Sequence, residues 1–255
     1  MGLMEVREVT VRFGGLIAAS EITMDIEEGT IHSLIGPNGA GKTTLFNVIT
    51  RVIDPNIGDV LFNGESLLKS KPHEIIKSGI ARTFQNLEIF KLMTVRDNFL
   101  VGEHVNIDTK LTAEMFQTKH IQTEEANSNT KAVQIAEFLG LKNRLNSLTG
   151  MLPYGLQKMV EIGRALISSP KLLLLDEPAA GLNPSETHFL KEVIREIKSQ
   201  GVTILLVEHD MSLVMDISDY ITVMNFGKKI AEGMPDQIKN DPEVIKAYLG
   251  ESKYA

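Results

Sequence analysis

The run GPNGAGKTT at residues 36–44 leaves a chain few ways to fold. It follows a short apolar stretch, IHSLIG (31–36), and leads into LFNVITRV (45–52), whose apolar residues recur at helical spacing. A strand, a glycine-rich turn and a helix in that order open a strand–helix–strand unit, and Gly36 to Thr43 fits G-x-x-x-x-G-K-[ST]. The spacing has a physical reason. Glycines let the backbone curl so that successive N–H groups point inward at phosphate oxygens, and the helix that follows adds the positive end of its dipole. Lys42 supplies a mobile charge for β- and γ-phosphates, and the Thr43 hydroxyl suits Mg²⁺. Gly36, Pro37, Asn38, Gly39, Ala40, Gly41, Lys42, Thr43 and Thr44 are therefore the expected nucleotide cradle. The bland alternative, a strand–turn–helix junction that merely contains glycines, does not explain Lys42–Thr43 at the helix start.

Around this motif the chain reads as two pieces of one sheet with an insertion between them. LMEVREVTVR (3–12) and EITMDIE (21–27) alternate as strands about a turn at Gly14–Gly15; VLFNG (60–64) and IARTFQ (80–85) read as further strands. From about 86 to 154 the character changes. MTVRDNFLVGEHV is helix-like, 105–130 is polar with little periodicity, and KAVQIAEFLGLKNRL carries a helical stripe, which leaves HIQTEEANSNTK as an expected exposed loop. Beyond 155 the alternation resumes. KMVEIGRALI, ETHFLKEVIREIKSQ and MSLVMDIS read as helices, KLLLLD and VTILLVEH as strands, and YITVMNFGKKIAEG as a hairpin. Short apolar strands between amphipathic helices predict a parallel α/β sheet.

A second chemical signal is LLLLDE at 172–177. An apolar strand ending in two acids puts them at the carboxyl edge of the sheet, where α/β proteins bind ligands. There Asp176 would hold the Mg²⁺ water shell and Glu177 could polarise an attacking water. Gln85 ends IARTFQ and His209 ends VTILLVEH, which brings both to the same edge as Lys42 and Glu177. Gln85 could reach metal or water there, and His209 a γ-phosphate; either residue alone is more often a satisfied polar group. Phe13 could stack on adenine, or equally be core.

Composition narrows the classes. A net charge of −7 argues against general nucleic-acid binding, and 5% aromatics with no tryptophan argue against a base-stacking platform. Zero cysteines exclude disulfides and thiolate metal sites. No run approaches a membrane span (VTILLV at 202–207 is among the longer ones), and MGLMEVREVT lacks a secretory pattern, so the expected location is cytoplasmic.

The ordered set of phosphate loop, Gln85, LPYGLQ (152–157), LLLLDE, the AAGLN turn (179–183) and His209 resembles the nucleotide-binding subunit of ABC transporters over essentially the full chain. The resemblance implies one ABC ATPase domain across 1–255, of the α/β P-loop NTPase (RecA-like) class. Its parallel-sheet core with an N-terminal antiparallel β-subdomain would span 1–85 plus 155–255, with an inserted helical subdomain at 86–154. It also implies a head-to-tail dimer with a second ATPase subunit, the same or paralogous, in which the helix start at 152–156 approaches the γ-phosphate held by the opposite subunit. In the family that stretch usually reads Leu-Ser-Gly-Gly-Gln. Here Pro153 stands for the serine, Tyr154 for a glycine and Leu156 for the glutamine, while Gly155 is kept. Proline at a helix start costs little but removes a hydroxyl–phosphate hydrogen bond worth roughly 1.5–3 kcal/mol. Asn183 stands where an aspartate is usual, keeping a hydrogen-bonding group without the charge.

GIARTFQNLEIFKLMTVRDN (79–98), LPYGLQ, DEPAAGLNPSE (176–186) and GMPDQIKNDPEVIKAYLGE (233–251) are most similar to the ATP-binding subunit of branched-chain (hydrophobic) amino-acid importers. Related ATPases for amide or urea uptake and for lipopolysaccharide extraction share parts of them. The implied partners are integral membrane permease subunits, with a cytoplasmic helix of theirs seated beside Gln85 at 86–90, and indirectly an extracytoplasmic solute-binding protein. The chain would lie on the cytoplasmic face of the membrane. The resemblance further implies that Glu177, His209, Lys42 and Gln85 act in hydrolysis and that Thr43, Gln85 and Asp176 serve the metal. Chromosome-maintenance and repair ATPases share the nucleotide head, but their insertions are long coiled coils; this one is about 70 residues without sustained heptads. Family translation factors carry two cassettes in one chain, and a small-molecule P-loop kinase has no use for LPYGLQ followed by Asp176–Glu177.

Overall fold

The computed structural model describes residues 2–103 and 119–251. Of the polar stretch 105–130, residues 105–118 lie outside the described residues.

Two sheets organise the chain. The N-terminal sheet is antiparallel with strand order β2-β1-β4-β5, built from β1 (Met4–Phe13), β2 (Leu16–Ile26), β4 (Ile57–Phe62) and β5 (Glu65–Ser66). The second sheet runs β10-β9-β3-β8-β7-β6, from β3 (Ile31–Ile35), β6 (Ile80–Arg82), β7 (Leu172–Asp176), β8 (Thr203–Val207), β9 (Tyr220–Asn225) and β10 (Lys228–Gly233). All its pairings are parallel except the edge hairpin β9–β10. The central strands are apolar on both faces because both faces are covered. Leu172 and Leu174 of β7 and Leu205 and Val207 of β8 point to the side shared with the N-terminal sheet. Leu173, Leu175, Ile204 and Leu206 point to the opposite, helical side. This period of two follows from strand geometry.

Helix α1 (Lys42–Ile49) lies between the two sheets, burying Leu45, Phe46, Val48 and Ile49. The opposite layer holds α2 (Val95–Glu103), α3 (Lys119–Phe138), α4 (Tyr154–Leu166) and α5 (Pro184–Ser199). A third cluster places α6 (Met211–Ile217), α7 (Pro235–Lys239) and α8 (Pro242–Glu251) against β3 and β9 through Val214, Ile238, Val244, Ile35, Ile221 and Val223. The caps are written in the sequence. Asn183 Oδ1 accepts from the amides of Ser185 and Glu186 at 3.0 Å, with Pro184 in the first turn of α5. Asp210 does the same for α6. Helices α2 and α4 cross closely: a Cβ on Gly102 would lie 2.1 Å from the Arg164 carbonyl oxygen, and one on Gly163 2.4 Å from the Phe99 ring.

Two local expectations need correction. HIQTEEANSNTK is helix rather than loop, since α3 runs from Lys119 to Phe138. The span has neither glycine nor proline, and its far end is pinned by buried Ala132, Ala136 and Leu139, so tertiary anchoring extends a polar helix with weak periodicity of its own. Strand β6 ends at Arg82, three residues before Gln85. Thr83 still donates to the Leu174 carbonyl, but the chain then leaves the sheet.

Candidate active site

The phosphate loop turns out of β3 and enters α1 with a backbone that two glycines make possible. Gly36 has φ +147 and its missing Cβ would sit 2.0 Å from the Met224 carbonyl oxygen; Gly41 has φ +100 and would meet the Ala18 oxygen at 2.3 Å. Both contacts are to backbone, so no side-chain rotation could relieve a substitution. Lys42 Nζ donates to the carbonyls of Gly36 and Pro37 at 2.7 and 2.9 Å, folded back over its own loop. Residues 38–44 line one wall of a cleft of about 610 Å³.

The opposite wall carries the expected acid and its neighbours. Gln85 Nε2 donates to Glu177 Oε2 at 3.0 Å, and His209 Nε2 lies 2.5 Å from Glu177 Oε1. Three residues from three separate loops thus meet at one carboxylate. Glu177 has φ 48, a left-handed backbone that a glutamate adopts at a cost of about 1–3 kcal/mol and holds only where the surroundings fix it. Its own N–H donates to the Val207 carbonyl at 2.9 Å, and its carbonyl accepts from Ala180 at 3.2 Å. Phe13 lines the cleft half-exposed, which removes the core reading of that ring.

Asp176 stands behind the cleft wall rather than on it. It is 2% exposed, and its Oδ2 accepts from Arg82 Nη2 at 2.8 Å. Arg82 also donates to Asn47 Oδ1 and Thr50 Oγ1 of α1 at 2.8 and 3.1 Å, and its guanidinium lies 5.4 Å from the ring centres of Phe46 and Phe84. One cation therefore joins the helix after the phosphate loop, the segment before Gln85 and the strand before Glu177. Among the described residues, no group of three or more His, Cys, Asp or Glu could hold a metal by itself. A hydroxyl at Thr43 and a single carboxylate at Asp176 fit Mg²⁺ that arrives with nucleotide phosphates, since that ion keeps most of its shell as water and phosphate oxygens.

Pro153, Tyr154, Gly155 and Asn183 do not line this cleft. The structure brings them to one another instead. Pro153 is the N-cap residue of α4, in an extended conformation (φ −53, ψ 150), one position earlier than a first-turn proline. The Tyr154 ring packs at the AAGLN turn, where a Cβ on Gly181 would be 3.0 Å away, and Gly155 presses its bare face on the Glu186 carboxylate, 2.4 Å from an added Cβ. The Asn183 side chain is committed to its cap.

Several lining residues escaped the sequence reading: Leu16, Ile17, Ala18 and Phe226. Phe226 is 88% exposed in the β9–β10 turn, whose Gly227 N–H donates to the Ala40 carbonyl and whose Gly227 carbonyl accepts from Ser20. A bare phenylalanine in the turn NFGK is the signal that could have drawn attention to it. Arg82 was also missed, having no motif spacing, and so was Glu208.

The phosphate cradle, the carboxylate held by glutamine and histidine, and the two-sheet frame agree with what the chain resembles. The family model described as "ABC transporter" matches residues 19–180. The chain belongs to the ABC transporter family. A second model, "Branched-chain amino acid ATP-binding cassette transporter", matches residues 228–254 of the cassette. The cassette is 45% identical to the high-affinity branched-chain amino acid transport ATP-binding protein BraF of Pseudomonas aeruginosa over 98% of each chain, and 43% identical to LivG of Escherichia coli over the same shares. A solved ATP-binding cassette of an ABC transporter in its ADP conformation superposes with a TM-score of 0.86 at 35% identity, over 98% of this chain and 99% of that one. A nucleotide-free cassette gives 0.84 at 36%, over 97% and 99%. The cassette is thus an α/β ATPase of this family.

Proposed function

We propose that the cassette is the ATP-binding and ATP-hydrolysing subunit that powers an importer of branched-chain or other hydrophobic amino acids. Support for the solute class comes from BraF and LivG, which align along nearly their whole length, and from the C-terminal match at 228–254. No helix among the described residues is long and apolar enough to cross a membrane, so the transport path would belong to integral membrane permease subunits, with the cassette on their cytoplasmic face. The segment 86–154 acts as the helical subdomain, and the stretch 86–90 beside Gln85, with its exposed Phe90, is the surface offered to a permease helix. An extracytoplasmic solute-binding protein would act only indirectly.

The observation that carries the chemistry is the Glu177 carboxylate clasped by Gln85 and His209 across the cleft from the phosphate loop. The backbone N–H groups of 38–44, which line the cleft, cradle the ATP phosphates, and Lys42 leaves its loop carbonyls for phosphate oxygens. Thr43, Asp176 and Gln85 would hold Mg²⁺, which neutralises charge on the β- and γ-phosphates when bound. Glu177 orients the attacking water and takes its proton, while His209 donates to the transferring phosphoryl group. Water exclusion then falls to a second cassette, which would present its α4 start and AAGLN turn to this cleft.

The test is Glu177→Gln. It should keep ATP binding and lose turnover; wild-type hydrolysis would remove the general-base role. Light scattering of the same variant should give a dimer with Mg-ATP and a monomer without it. A monomer under both conditions, with ATP bound, would mean that LPYG cannot clasp a phosphate in a homodimer, so that a paralogous subunit or the permease completes the site.

A further inference from the structure

Next to His209 lies a carboxylate, Glu208, that forms no ion pair among the described residues. Glu208 is 3% exposed and accepts three backbone N–H groups from two separate turns. Its Oε1 accepts from Ala179 at 2.7 Å; its Oε2 accepts from His209 at 2.9 Å and from Asp210 at 3.4 Å. Burial pushes its pKa up, the three amides pull it down, and the nearby Glu177 charge pushes it up again. A buried carboxylate so placed would be expensive to keep unless the amides needed it as much as it needs them.

What those amides belong to decides the matter. Ala179 is two residues beyond Glu177, in the turn that must hold the left-handed backbone of that glutamate. His209 and Asp210 form the turn that aims the imidazole at Glu177 Oε1. We propose that Glu208 is the positioning residue that ties the Glu177 turn to the His209 turn and so sets the geometry of that pair. This rests on the reading of Glu177 and His209 as the hydrolytic pair. The tie touches no residue of the phosphate loop, so nucleotide binding and turnover should separate when it is cut.

Glu208→Gln is nearly isosteric, yet it replaces one acceptor oxygen with an N–H₂ donor facing an amide donor, so at least one of the two turns is released. Expected results are a fall in kcat of at least about 10-fold, a KM for ATP and an ADP affinity within about twofold of wild type, and faster amide exchange confined to 177–180 and 208–210 in the nucleotide-free protein. Glu208→Ala should reproduce the same split even if its melting temperature falls. Wild-type kcat in Glu208→Gln would overturn the proposal, as would ADP affinity falling in step with kcat. So would unchanged exchange at Ala179 and His209. Glu177→Gln measured alongside keeps the two ideas apart: an active Glu177→Gln sinks the catalytic reading, whereas an inactive Glu177→Gln beside a fully active Glu208→Gln sinks only the tie.

Discussion

Replacing Arg82 with methionine isolates the buried ion pair behind the site. Methionine keeps an unbranched stem between Phe46 and Phe84 while removing the guanidinium that reaches Asp176, Asn47 and Thr50. The side chains of the pair are 10% and 3% exposed, so solvent cannot take over the lost partner. Breaking such a pair from one side costs about 3–5 kcal/mol, mostly because the remaining charge is stranded. For a chain of this size, each kcal/mol moves the melting temperature by about 2–4 °C, so Arg82→Met should melt roughly 6–20 °C lower. The physical claim is that the penalty belongs to the stranded Asp176 and not to lost packing. Arg82→Met with Asp176→Asn should therefore recover at least about 1 kcal/mol relative to Arg82→Met alone, a coupling that a double-mutant cycle in urea reads directly. A loss below about 1 kcal/mol for the single variant, or strictly additive losses in the cycle, would refute the reasoning.

Other outcomes follow from the same structure. His32 is buried against Thr222 Oγ1 at 2.8 Å, and burial, helped by the Lys229 charge, lowers its pKa from 6.5 to about 4. The unfolded chain then binds the proton more readily, so this contribution to stability is complete above pH 6.5 and is lost as pH falls toward 4. The loss is about 2 kcal/mol by pH 5 and about 3 kcal/mol at its limit. Urea unfolding at pH 7 and pH 5 should show the difference in unfolding free energy in wild type and a smaller one in His32→Gln; the same pH-dependent difference in both proteins would contradict it. Gly102→Ala gains up to about 1 kcal/mol of helix propensity. It nevertheless drives a methyl to 2.1 Å from the Arg164 carbonyl, and a net loss of about 1–3 kcal/mol is expected from overpacking. A stabilised Gly102→Ala would mean that α2 and α4 can separate freely.

Much of the site was legible because its parts announce themselves locally. The phosphate loop needs glycines at fixed spacing, and Asp176–Glu177 end a strand whose leucines alternate between two covered faces. Asn183 reads only as a site residue in the sequence, whereas the structure uses its side chain as the cap of α5. The first half of α3 was missed because its anchoring residues lie at its far end, and the early polar stretch gives no period to read. The β6 boundary was overrun because residues 83–85 keep a strand-like composition after the sheet has ended.

The sequence by itself determined the α/β layering, the phosphate cradle and the order of the chemical groups, since each depends on neighbours within a few residues. Only the tertiary structure decided that Gln85 and His209 close on the same carboxylate, that Arg82 stands behind Asp176, and that Glu208 binds two turns at once. Those partners are separated by up to 94 residues for Arg82 and Asp176. Their meeting depends on the parallel order β6-β7-β8, which places three strand ends side by side at one edge. Strand order is set by packing between distant segments, and no local period encodes it.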